Sequence, residues 1–111
     1  MLARLNQFKL RADRTFFSTA SLVKSRQSRM YYRLDKTDLV KGMVRVVSKN
    51  IPLSSQRNSL RRKYEEVWQK QIDLGIWPGG DYALIISRGS NDQEQILADL
   101  DTMLQRLNEN E

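Results

Sequence analysis

The chain has 111 residues, with 19 Lys and Arg against 13 Asp and Glu and a formal net charge of +6 at pH 7. It contains neither Cys nor His, which removes disulfides, thiolate nucleophiles, Cys/His zinc sites and imidazole acid–base chemistry together. The length fits a single domain over 1–111 with one modest core.

The opening residues, Met1 to Phe8, lack the apolar stretch of a secretory signal, and no run approaches the roughly 18 apolar residues of a membrane span, so a cytoplasmic protein is expected. Leu5, Phe8, Leu10, Phe16 and Phe17 suggest a short amphipathic helix over about 5–17. The polar stretch 18–28 reads as a loop or irregular arm. Residues 29–35 read as a strand: alternation places Met30, Tyr32 and Leu34 on a core face and Arg29, Tyr31 and Arg33 on an open one. A turn at Asp35 to Asp38 follows, then a strand over 43–48 in which Arg45 interrupts an apolar run and turns one face to water or a partner. One further strand could lie between 36 and 43.

The clearest helix spans 54–73. Leu60, Tyr64, Val67, Trp68 and Ile72 form its buried stripe, Pro52 precedes it, and Ser54 or Ser55 is the expected cap. Gly75 and the Pro78-Gly-Gly turn mark its exit. Residues 81–87 read as a short buried strand. Ser90 to Gln93 offers a capping box for a last helix with Ile96, Leu97, Leu100, Met103, Leu104 and Leu107 inward, and with Asp92, Glu94, Asp99 and Asp101 off that stripe. The order is α+β, a small sheet carrying about three helices.

Charge is placed unevenly along these elements. Residues 1–70 hold 17 basic and 5 acidic residues, a net of +12, whereas residues 71–111 hold 2 and 8, a net of −6. A concentrated basic surface attracts polyanions and releases their counterions. Thirteen carboxylates could in principle hold a metal, but no two fall into a recognisable motif, so neither an autonomous catalytic residue nor a metal site on the protein is expected.

The strongest local signal is residues 47–63, where Arg57, Arg61 and Arg62 fall on one side of a helix start, Lys63 follows, and Lys49 approaches from the preceding strand. Cations at a helix N-terminus oppose its dipole, a cost offset when an anion binds there, and Arg grips phosphate bidentately. Pairs Arg61–Glu65 and Arg62–Glu66 would neutralise two cations and leave Arg57, Lys63 and Lys49 unpaired.

Val47-Ser-Lys-Asn, followed by Arg57-Asn58-Ser-Leu-Arg61-Arg62, resembles the signature of the bacterial ribonuclease P protein family, V-S-K-K and then R-N-R-x-K-R-x-x-R-E. Pro78-Gly-Gly-Asp81-Tyr82 with its apolar run to Arg88 is similar to a later strand of that family. The chain departs from the signature at Asn50, Ser59 and Glu65, each standing where the family has a cation.

The resemblance implies a ribonuclease P protein-like fold with a left-handed strand–helix–strand crossover (43–48, 55–73, 81–87), where general physics favours the right-handed form. It implies a protein subunit that assists a catalytic RNA in removing the 5′ leader of precursor tRNA, the RNA carrying the endonuclease chemistry with Mg²⁺ held mainly by its phosphates. Lys49, Arg57, Asn58, Arg61, Arg62 and Lys63 would then bind the RNA subunit. Phe16, Phe17, Arg29, Tyr31, Arg33 and Arg45 would bind the leader, the rings stacking on bases and the cations following phosphates. No protein partner is required. Two other readings are open: an RNA-binding module of another ribonucleoprotein, such as a ribosome-associated protein, using the same basic helix and sheet face, and, of a different class, a carboxylate-metal nuclease acting alone.

Overall fold

The apolar run Tyr82 to Ile86 lies in β4 (Gly80–Ile86), an interior strand of a four-stranded sheet with partners on both sides. β2 (Ser28–Leu34) pairs with it antiparallel, β3 (Val40–Val46) pairs with it parallel, and β1 (Ser21–Lys24) adds an antiparallel edge beyond β2. The order is β1-β2-β4-β3. Parallel neighbours cannot be joined by a tight turn, and α2 (Ser54–Asp73) makes the crossover from β3 to β4. A four-residue helix, α1 (Phe16–Thr19), precedes β1, and α3 (Gln93–Asn110) follows β4. The computed structural model describes residues 2–9, 15–47, 49, 51–89 and 92–110. It is the α+β architecture expected, a small mixed sheet with three helices.

Strand alternation decides which side chains meet the helices. Met30 and Tyr32 of β2, Val40 and Val44 of β3, and Tyr82, Leu84 and Ile86 of β4 are buried on one face. α2 lays Leu60, Tyr64, Val67 and Trp68 into this core, and α3 adds Ile96, Leu100, Met103 and Leu107. Each such side chain, fully buried, contributes about 1.5–3 kcal/mol of hydrophobic stabilisation. Trp68 packs edge-on against Trp77 and Tyr82, with ring centroids 5.7 and 6.0 Å away. It comes so close to β3 that a Cβ on Gly42 would stand 2.4 Å from Trp68 Cη2. Gly75, with φ 73°, turns the chain out of α2 in the left-handed conformation glycine tolerates best.

Several expectations are corrected. Among the described residues there is no continuous helix over 5–17: residues Arg4–Asn6 make one 3₁₀ turn, and Phe16 to Thr19 make α1. Leu2 is drawn into the core, and the next residues run beside β3, where Phe8 N–H donates to Gly42 O at 2.9 Å. The supposed arm at 18–28 contains β1, folded back on β2 through the turn at 25–27. The second strand begins at Val40 and ends at Val46, so the strand suspected between 36 and 43 is its first half. Neither Ser54 nor Ser55 caps α2; Leu53 occupies that position without a side-chain hydrogen bond. At α3, Ser90 lies outside the described residues, and Asp92 Oδ1 accepts the N–H of Glu94 at 3.0 Å. Leu97 is exposed, whereas Asp99 is buried at 7% exposure. Its Oδ2 accepts the hydroxyls of Ser28 at 2.6 Å and Tyr64 at 2.8 Å, tying α3 to β2 and α2.

Candidate nucleic-acid interface

α2 and α3 cover one face of the sheet, and the register sets the outward side chains of the other in three rows. The first is Arg33, Asp81 and Lys41; the second Leu22, Tyr31, Ala83 and Met43; the third Lys24, Arg29, Ile85 and Arg45. An apolar and aromatic band is thus flanked by charged ones, a combination that stacks bases and follows phosphates. α1 leans over one side of this face. Phe17 lies 5.0 Å from Tyr31 in an edge-on arrangement and is 48% exposed. Arg33 is engaged within the molecule, its Nη2 3.0 Å from Asp81 Oδ2 and its guanidinium 5.4 Å from the centre of the Phe16 ring. Arg29 and Arg45 are exposed, and neither makes an ion pair among the described residues. Phe8, Lys9, Lys41 and Asp81 line part of a groove near the first row.

The start of α2 forms a second basic surface. Arg57 Nη1 donates to the carbonyls of Ile51 and Pro52 at 2.9 and 2.6 Å, folding its side chain back over the loop before the helix. Arg61 reaches Glu65 at 3.1 Å, as anticipated. Glu66, however, pairs with Lys63 at 3.6 Å and Lys70 at 3.8 Å rather than with Arg62. Arg62 therefore remains exposed with no ion pair among the described residues, beside Asn58, Ser59 and Lys63 in a groove along the helix. Lys49 is exposed as the chain leaves β3. Glu65, where the family signature has a cation, is only 7% exposed; its Oε2 accepts the N–H of Leu2 at 3.2 Å while Oε1 holds Arg61.

No family model and no curated relative matches the sequence. Solved structures do. The Staphylococcus aureus RNase P protein superposes with a TM-score of 0.75 at 20% identity, over 92% of this chain and 94% of that one. The RNase P protein from Thermotoga maritima gives 0.75 at 20% identity, over 90% and 96%. The fold is that of bacterial RNase P protein.

Within the RNase P protein fold the twelve anticipated residues separate by element. Arg29, Tyr31, Arg33 and Arg45 share the open sheet face with Phe17 beside them, Arg57, Asn58, Arg61, Arg62 and Lys63 lie on the first turns of α2, and Lys49 lies between β3 and α2. Phe16 is a correction: it is 0% exposed, enclosed by Phe8, Phe17 and Arg33, and has no free ring to offer a base. Lys63 is another, paired with Glu66 instead of unpaired. Lys24, Lys41 and Leu22 were missed. Lys24 and Leu22 sit on β1, whose four residues are too few for alternation to stand out and whose turn to β2 lacks the glycine or asparagine that marks a hairpin. Burial first, and then Asp99, pushes the Tyr64 hydroxyl upward; burial, then Asp35, does the same to Tyr82.

Proposed function

We propose that this chain is the protein subunit of a bacterial-type ribonuclease P, binding the catalytic RNA through the start of α2 and the 5′ leader of precursor tRNA across the open sheet face. The observation that carries the reading is that face: Tyr31 and Phe17 beside the exposed cations Arg29, Arg45 and Lys41, on an RNase P protein fold. Stacking on such rings is worth about 1–3 kcal/mol per base and needs no particular sequence, which suits leaders of varied sequence. Arg62, Lys49 and the cations near them supply a second phosphate contact outside the sheet.

In this reading the protein positions RNA and does not cut it. Among the described residues no group of three or more carboxylates is placed to hold a metal ion. Mg²⁺ would be held by the phosphates of the RNA subunit and would supply a metal-activated water for hydrolysis of the phosphodiester. Relief of phosphate repulsion by Arg and Lys would raise the affinity for both leader and metal. No helix among the described residues is long and apolar enough to cross a membrane.

Reconstitution with a bacterial ribonuclease P RNA at low Mg²⁺ tests the proposal. The protein should increase formation of mature tRNA from precursor over the RNA alone. Cleavage by the protein without the RNA subunit, or no effect of the protein on the reconstituted reaction, would overturn it.

A further inference from the structure

Residues 71–111 contain only two cations, Arg88 and Arg106. The fold brings both to the same place, the turn between β1 and β2. Arg88 N–H donates to Gln27 O at 3.1 Å, and the Arg106 guanidinium donates to Lys24 O. The hairpin itself carries Lys24, Arg26 and Arg29, all exposed. Lys24 and Arg29 are direct cross-strand partners, and like charges placed opposite one another destabilise a hairpin. Some cations elsewhere are paired, Arg33 with Asp81, Arg61 with Glu65, and Lys63 and Lys70 with Glu66. Among the described residues Lys24, Arg26, Arg29 and Arg88 have no ion pair. Asp99 approaches from beneath, but its Oδ2 is turned inward to Ser28 and Tyr64.

We propose that the β1–β2 hairpin, through Lys24, Arg26, Arg29 and Arg88, binds the phosphodiester backbone of the single-stranded leader beyond the nucleotides that stack on the sheet. This deepens the proposed function and rests on it. The hairpin continues the sheet face in the direction a strand would take: Tyr31 and Leu22 lie one row above Arg29 and Lys24, a step of two residues or about 6.7 Å along the strands. A polynucleotide stacked on Tyr31 and Phe17 would meet these cations next, then Arg26 at the tip and Arg88 beside it. Contacts of this kind read charge rather than base identity.

The test uses the double variant Arg26→Ala/Arg88→Ala, both exposed positions, in the reconstituted holoenzyme with precursor tRNAs of graded leader length. With the natural chain, affinity should rise as the leader lengthens. In the double variant the gain from the longest leaders should disappear, and the salt slope for those substrates should fall by about 1.4, near 0.7 per lost single-strand phosphate contact. An unchanged length profile and slope would overturn the hairpin site while leaving the proposed function standing. An equal loss for leaderless tRNA would overturn the assignment to the leader and place the contact on the RNA subunit or the tRNA body. Absence of any leader-dependent gain with the natural chain would sink both proposals.

Discussion

Glu65 stands where the family signature carries a cation, and its surroundings explain how the fold uses a carboxylate there. One oxygen fastens Leu2 against α2 and the other restrains Arg61. Glu65→Gln keeps an acceptor for one of these donors and removes the negative charge. On the proposed function, the variant should bind a ribonuclease P RNA more tightly, with a salt slope steeper by up to about 0.9 as Arg61 is released to a phosphate; equal slopes would show that Arg61 does not reach the RNA. Tyr64 gives a second prediction. Its hydroxyl and that of Tyr82 are held neutral above the ordinary tyrosine value of 10.0, chiefly by burial. In the unfolded chain both ionise near that value, so above it the unfolded state sheds protons that the folded state keeps. Stability therefore falls as pH rises beyond about 10, by up to about 1.4 kcal/mol per pH unit for each group. Tyr64→Phe should be less stable at neutral pH by about 1 kcal/mol, because Asp99 loses a donor. Chemical denaturation at increasing alkaline pH should then narrow its gap to the natural chain, and a constant gap would contradict the account.

At the scale of elements, the contact between α2 and β3 depends on the missing side chain at Gly42. Gly42→Val would drive atoms into Trp68, which is enclosed by Trp77 and Tyr82 and has little room to retreat. A loss of about 1–3 kcal/mol is expected from such overpacking, readable as a lowered thermal midpoint together with altered tryptophan fluorescence. A midpoint equal to that of the natural chain would mean that the interface yields more easily than its geometry implies. The same elements show what was legible beforehand. α2 has 20 residues with a regular apolar stripe and was readable to its ends, and the alternation of β2 correctly separated Met30 and Tyr32 from Arg29 and Tyr31. β1 was not, being four residues long. Phe8, Phe16 and Phe17 imitate a helical stripe, yet their rings cluster with one another and with Tyr31 on the sheet. Asp99 reads as a surface residue because its hydroxyl partners lie 71 and 35 positions away along the chain.

Across the whole molecule, the basic character of residues 1–70 is spread over two surfaces rather than one. Much of the cluster at the start of α2 is answered internally, by Glu65, Glu66 and the carbonyls of the preceding loop. The cations left without ion pairs among the described residues include Arg29 and Arg45 on the sheet and Arg62 on the helix. Sequence spacing could locate the arginines of α2, but which of them were already engaged depended on side-chain rotamers and on a loop that periodicity does not describe.

The place of β4 between β2 and β3 also bears on how the protein is made. Arg29 faces Ile85 and Arg45 faces the same residue from the other side, so the open face has no centre until the last strand arrives. A ribosome must release the chain past Ile86 before that surface can exist, and closing such distant pairings is slow compared with helix formation. A nascent chain would therefore carry the cations of residues 1–70 before the last strand arranges them on a shaped surface.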